Sequence, residues 1–529
     1  MSLNERNRSG EENDRMKQYK NAGKHDDLRR RRAECSVELR KQKRENDLMK
    51  RRMITDTDLD SHADEIEVEN TVDSISNIKK ESKVKITPEE AVRILSNNPT
   101  LDQMRETFEA IRRLLSRTKS PPVDEVINAG LLGALVEGLK VPDHKVQFEC
   151  AWSLTNVVSG TSAQTVAGVE AGCCPLLLEL CKGSDIALAD QCLWAMANIV
   201  GDSHELRDYT IGLGIIDVLE YMNSHIGNYK VETVRTIAWT LSNLCRHKQP
   251  HPPLDVMKKI FPLVLSMMQF NDKAVVQDAC WALSYMTDGS DDQIMIAATK
   301  ECIKILVAMI SSNRDSCVAP ALRVFGNFAT GNDYLTQLVV DSGILKKVLA
   351  NLIANEKPVI VKECAWLLSN ILAGNQQQIQ AVIDAGLLLP ILTIFKRGDF
   401  KSIYEASWAV SNLVQGGTSK QIFELWKVGG LEILCLPLRG SVNNDVFVNL
   451  LDTIYGVLNT AREYYPEVFT EMKDQIEECG GLDTIEHLQQ SESEKVYQQA
   501  YRIVSEFFND DEEDDLVDEN DQQRSSFNF

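Results

Sequence analysis

One position returns every 42 to 45 residues, and that beat restricts the fold more than any other feature of the chain. The segments AWSLTNVVSG (151–160), LWAMANIVGD (193–202), AWTLSNLCRH (238–247), CWALSYMTDG (280–289), LRVFGNFATG (322–331), AWLLSNILAG (365–374) and SWAVSNLVQG (407–416) align without gaps. Trp152, Trp194, Trp239, Trp281, Arg323, Trp366 and Trp408 hold the second place, spaced 42, 45, 42, 42, 43 and 42 residues apart, and six of the seven tryptophans stand there. A period of this length marks a repeat architecture in which each unit buries its apolar face only against its neighbours.

A second marker keeps the same beat. Asn128-Ala129-Gly130, Glu170-Ala171-Gly172, Gly212-Leu213-Gly214, Asp341-Ser342-Gly343, Asp384-Ala385-Gly386 and Lys427-Val428-Gly429-Gly430 each precede an apolar run. Glycine there ends one helix in the left-handed conformation and lets the chain turn into the next. Each unit is expected to hold two long helices and a short one. Thr87-Pro88-Glu89-Glu90 predicts the first helix start, with Thr87 as N-cap and Glu90 closing a capping box. The expected fold is an all-α, right-handed armadillo-repeat solenoid of about ten repeats over residues 87–508, with end units at 88–130 and 430–508 that lack the Trp mark.

Charge divides the chain. Residues 1–53 carry 17 Lys/Arg against 10 Asp/Glu, which leaves a net of −28 on the remainder of a chain whose total is −21. Residues 1–54 read as a flexible basic segment, 55–86 as a linker and 509–529 as an acidic disordered tail. An acidic body repels phosphate, so direct nucleic-acid binding is not expected. No signal peptide or membrane span is expected from the polar N-terminus and the absence of a long apolar run. Thirteen cysteines show no CxxC spacing; Cys150, Cys192 and Cys364 read as small buried residues, not redox or metal groups. HExxH, GxSxG and phosphate-loop motifs are missing, so neither enzymatic activity nor a metal or cofactor is expected.

Trp and Asn stand four apart in Trp152/Asn156, Trp194/Asn198, Trp239/Asn243, Trp366/Asn370 and Trp408/Asn412, which places both on one helix face. Two readings compete. In one, Trp packs in the core and Asn caps a neighbouring helix end. In the other, both face open solvent: the carboxamides pair with the backbone of an extended peptide, and the indoles form slots for lysine stems and ammonium groups. The second is favoured, because a file of buried carboxamides needs a partner for each one. Glu149, Asp278, Glu363 and Glu405, three residues before the Trp position, and Asp202 and Asp333 after the motif helix, give this face its preference for cations.

With these motifs, the chain resembles the importin alpha (karyopherin alpha) family of nuclear import adaptors over nearly its whole length. The resemblance implies a basic importin-beta-binding segment, here Arg29, Arg30, Arg31, Arg32, Arg40, Lys41, Lys43, Arg44, Lys50, Arg51 and Arg52, which also inhibits the chain's own peptide site. It implies that Lys/Arg-rich nuclear localisation signals of cargo bind extended in the concave groove. The major site would comprise Trp152, Asn156, Gly160, Thr165, Trp194, Asn198, Asp202, Trp239, Asn243 and Asp278. The minor site would comprise Arg323, Asn327, Asp333, Glu363, Trp366, Asn370, Glu405, Trp408 and Asn412. Tyr285 and Arg323 interrupt the pattern between them, with a weaker grip expected at Tyr285. Partners implied are importin beta, basic cargo and an export receptor, with shuttling between cytoplasm and nucleus. An armadillo scaffold of the catenin type, serving signalling or adhesion, is the rival reading; it would favour a basic groove.

Overall fold

A computed structural model describes residues 86–508 apart from 118–119, 311–314, 346–348, 350–356 and 441. The predicted basic segment, nearly all of the linker and the acidic tail lie outside the described residues. Among the described residues every regular element is a helix, and the armadillo-type all-α fold expected from the repeat is the fold found. The described chain divides into two compact units, one ending at Gly289 and the other beginning at Ser290.

Long helices set the rhythm of both units. The first holds α1 (Leu101–Leu115), α2 (His144–Val158), α3 (Ile186–Val200), α4 (Val231–Arg246) and α5 (Lys273–Met286). The second holds α6 (Asp315–Phe328), α7 (Pro358–Leu372), α8 (Phe400–Gly416), α9 (Asn444–Tyr464) and α10 (Glu494–Phe507). Within each unit, successive long helices pack against one another.

The stretch 161–200 shows why the sequence folds this way. The Thr161 hydroxyl accepts from the Gln164 amide, and the Gln164 side chain accepts from the Thr161 amide, so a capping box opens Ser162–Glu170. Gly172, at φ 88°, then takes a conformation that costs other residues strain, and Cys173–Leu180 begins at once. The Asp185 carboxylate accepts from the amides of Ala187 and Leu188 and starts α3. Gly130, Gly214, Gly343, Gly386 and Gly429 repeat the left-handed turn as the sequence predicts, and Gly480 adds one more. The Thr87/Glu90 box is also present.

Three details differ from expectation or explain it. Such a unit holds one long helix and two short ones, 15 residues against 9 and 8 in this stretch, because the left-handed glycine divides its first half. In the fifth repeat Pro250, Pro252 and Pro253 precede Leu254–Met268, and no short first helix stands before it. The one 45-residue spacing, from Trp194 to Trp239, accommodates an added 3-10 turn at Ile226–Asn228.

Burial then selects the exposed face. From Leu188 to Val200 only Asp190 and Trp194 escape full burial, and they stand one turn apart. Leu193, Met196 and Leu154 are fully buried, each stabilising the stack by about 1.5–3 kcal/mol. Twelve described cysteines are free, and eleven of them are buried, among them Cys150, Cys192 and Cys364, as the sequence suggests.

Candidate functional site

Each unit carries its own file of indoles. In the first, Trp194 on α3, Trp239 on α4 and Trp281 on α5 are half-buried, whereas Trp152 on α2 is only 7% exposed. The rings of Trp194 and Trp239 meet edge to face at 6.4 Å between centroids. The two rings therefore form a corner, not an open gap between parallel planes. Tyr285 stacks on Trp281 at 5.9 Å. In the second unit Trp408 on α8 is half-buried beside Tyr404, and Trp366 on α7 is 6% exposed. The Trp366 ring sits against Gly326, where any side-chain carbon would collide with it.

The carboxamides correct the expectation of open solvent. Asn156, Asn198, Asn243 and Asn327 are between 2% and 4% exposed, and Asn370 and Asn412 are half-buried. Four of them make one repeated bond. The Nδ2 groups of Asn198, Asn243, Asn370 and Asn412 donate to the carbonyls of Thr155, Ala197, Gly326 and Ser369, at 3.4, 3.0, 3.1 and 2.8 Å. Each acceptor lies on the preceding long helix, three residues past its Trp position. Asn156 donates to the Ser116 hydroxyl at 3.0 Å. The file is thus a ladder that holds successive repeats in register, as the disfavoured reading had partly proposed.

The ladder uses one N–H of each carboxamide. The Oδ1 atoms of Asn156 and Asn198 are buried and accept no hydrogen bond, and the indole Nε1 groups of Trp152 and Trp194 donate none. A buried polar atom without a partner costs about 1–3 kcal/mol, so the cluster carries polar groups that the fold itself leaves unpaired. The matching ligand group for Oδ1 is a backbone N–H.

Two of the predicted acids are committed to the fold. Glu149 is 7% exposed and accepts from Arg112 Nε at 2.9 Å, while the Arg112 guanidinium lies 4.6 Å from the centre of the Trp152 ring. Glu363 is 1% exposed and pairs with Arg323 at 2.5 Å and Lys362 at 3.1 Å. Burial pushes the Glu363 carboxyl up, but these two cations outweigh it and hold it at about 2. Both pairs follow one rule. Arg112 stands 40 residues before Trp152, as Ser116 does before Asn156, so Arg112 occupies the Trp position of the first repeat. Like Arg323, it neutralises the glutamate that precedes the next tryptophan. Neither Glu149 nor Glu363 therefore offers a free charge to an incoming cation.

The remaining acids stay at the surface: Asp202, Asp278, Asp333 and Glu405 are half-buried. Asp202 accepts from the Ser162 hydroxyl at 3.1 Å. Thr165 is fully buried, its hydroxyl bonded to the carbonyls of Val158 and Thr161, so it shapes the turn below the surface. Gly160 leaves room for the Gln164 side chain that closes the same capping box. Asp190, one turn before Trp194 on the same face, went unnoticed in the sequence; burial pushes its carboxyl up against the contrary influence of Thr236 and Thr233. Arg29 to Arg52 lie outside the described residues. Also among the described residues, no single helix is long and apolar enough to cross a membrane.

Repeated helices, a registered carboxamide ladder and half-buried indoles flanked by acids define a class: armadillo-repeat proteins with a peptide-binding face. Comparison with known proteins narrows it. The Armadillo/beta-catenin-like repeat matches residues 119–159, 161–201 and 332–373, and the Atypical Arm repeat matches 470–524. The Importin beta binding domain matches residues 15–107. Importin subunit alpha-2 of Caenorhabditis elegans is 45% identical over 502 residues, covering 95% of this chain and 93% of that protein. Importin subunit alpha-3 of Arabidopsis thaliana is 33% identical, covering 97% and 96%. The crystal structure of an engineered protein superposes with a TM-score of 0.68 at 24% identity, over 79% of this chain and 98% of its own, a likeness of fold alone. The chain belongs to the importin alpha family. Its role is that of a nuclear import adaptor, not of an enzyme or a catenin-type scaffold.

Proposed function

We propose that Lys/Arg-rich nuclear localisation signals bind as extended strands along each indole–carboxamide file, with the first unit as the major site and the second as the minor one. One observation carries the reading: Asn156 and Asn198 keep a buried, unpartnered Oδ1 after their Nδ2 groups have tied the repeats together. Helices pack roughly 8–10 Å apart and an extended chain rises roughly 3.3 Å per residue. Each repeat therefore meets every second or third ligand residue, which suits alternate side chains reaching the indoles. Asp202 and Asp278 add the preference for cations in the first unit, and Asp333 and Glu405 in the second.

The basic segment carries the regulation. Its Lys50-Arg51-Arg52 resembles cargo and, tethered to the acidic body, competes for the same file at high local concentration. An importin-beta partner that takes Arg29 to Arg52 removes the competitor, so partner and cargo binding reinforce each other. The match of residues 15–107 to an Importin beta binding domain supports this role. Shuttling between cytoplasm and nucleus, with an export receptor for return and no direct nucleic-acid contact, completes the cycle.

The test is anisotropy of a fluorescent Lys-rich peptide, with a Glu-rich peptide as control, on the full chain and on a chain lacking residues 1–75. The Lys-rich peptide should bind, and deletion should tighten it by about tenfold or more. Unchanged affinity after deletion refutes self-inhibition, and equal binding of the acidic peptide refutes the site.

A further inference from the structure

Arginine stands twice where the repeat otherwise places a tryptophan, and each time the next indole along is covered. Trp152, one repeat after Arg112, is 7% exposed, and Trp366, one repeat after Arg323, is 6% exposed. Trp194, Trp239, Trp281 and Trp408 each follow another tryptophan, and all four are half-buried. At Trp152 the cause is plain. The Arg112 guanidinium carbon, carried by α1, lies 4.6 Å from the centre of the indole, and its Nε donates to Glu149 Oε2 at 2.9 Å. Both charged side chains are only 10% exposed, and Phe148 packs edge to face on the same indole at 5.8 Å between centroids. The carboxamide ladder does not end here: Asn156 on α2 still reaches back to Ser116, which follows α1. The ladder therefore extends one repeat further than the file of open indoles.

We infer, resting on the peptide-site reading of the first unit, that Arg112 is a specificity-determining residue: it fills the outermost cation site of the file, made by Trp152 and Glu149, and so sets where a bound basic strand ends. An indole with a carboxylate one turn before it attracts a cation through both ring and charge. Asp278 and Glu405 stand in the same relation to Trp281 and Trp408, but at Trp152 the chain supplies the cation itself. A ligand lysine gains nothing there, because displacing the guanidinium would strand a buried charge. Removing the Arg112 side chain uncovers the ring and frees the carboxylate together, which opens one further site for an ammonium or guanidinium group. With helices roughly 8–10 Å apart and a strand rising roughly 3.3 Å per residue, that site lies two or three ligand residues beyond the one that meets Trp194.

The test extends a fluorescent peptide with a Lys-rich core by alanines at both ends, and places one further lysine at each added position in turn. Anisotropy on the full chain gives the affinity of each peptide relative to the all-alanine extension. For the native chain this ratio should stay near one at every position. For Arg112→Ala it should rise by about tenfold at one position beyond one end of the core. Arg112→Lys, which returns a cation to the pocket, should bring it back near one. Because Arg112→Ala leaves Glu149 without its partner, Arg112→Ala combined with Glu149→Gln serves as a second chain, its folding checked by circular dichroism. That chain should keep a gain of about threefold from the ring alone. A ratio near one throughout in both opened chains, or an equal gain in the native chain, overturns this role for Arg112. A native chain that fails to bind the core peptide at all refutes the peptide site itself, and the role of Arg112 with it.

Discussion

The first unit presents four consecutive aromatic heads, Trp152, Trp194, Trp239 and Trp281, whereas the second presents Trp366 and Trp408 after an arginine. Both units use the same ladder, carboxamide to carbonyl, at the same helical position. What changes is how many indoles reach the surface. Three are half-buried in the first unit; in the second Trp408 is, while Trp366 is pressed onto Gly326. Each file also begins beside an arginine standing where a tryptophan would be, Arg112–Glu149 in one and Arg323–Glu363 in the other. The scaffold is therefore constant, and the residue at one position per repeat decides whether an aromatic ring or an internal cation stands there.

The largest expected effect tests those internal cations. Arg112→Ala leaves Glu149 buried without its partner and should lower stability by about 3–5 kcal/mol in urea unfolding, the penalty for breaking a buried pair. Arg323→Ala should cost less, about 3 kcal/mol, because Lys362 still pairs with Glu363. Equal losses would break the comparison between the two arginine–glutamate pairs. Next come the open indoles. Trp194→Ala should weaken a basic peptide by about thirtyfold, near 2 kcal/mol, and Trp408→Ala by less, both read by anisotropy. The ladder should respond evenly: Asn198→Ala and Asn412→Ala should each cost about 1 kcal/mol of stability. A marked inequality would show that the two ladders are not one device.

The smallest effect is a pH dependence carried by Glu363. The Glu363 carboxyl has an ordinary value of 4.5 and is held at about 2 in the fold. Between those values the unfolded chain binds more protons than the native one, so stability is full above 4.5 and lost as pH falls toward 2. Glu363→Gln should make that acid limb of the unfolding profile shallower, and an unaltered limb would remove Glu363 from the account.

Much of this was legible in residue spacing. The 42-residue beat, the left-handed glycines and the Thr87/Glu90 cap are local signals, and local backbone chemistry decides them. The tilt of the carboxamides was not legible. A four-residue spacing gives a shared face, but whether Asn198 points outward or reaches back to Thr155 depends on how closely α2 and α3 pack. Glu149 and Glu363 were misread because their partners sit a whole repeat away. A signal did exist: Arg112 and Ser116 keep the distance of Trp152 and Asn156, which extends the marked position one repeat upstream. Gly480 escaped because no apolar run as strong as those after the other glycines follows it.

The central claim is that Asn156 and Asn198 hold a ligand by its backbone, and altering the ligand tests it without disturbing the ladder. A Lys-rich peptide is prepared as a series in which one backbone amide at a time becomes an ester, and each member is titrated against the chain lacking residues 1–75. Affinity should fall about tenfold at the two or three positions that meet these carboxamides and hardly at all between them. A flat profile across the series would contradict the account.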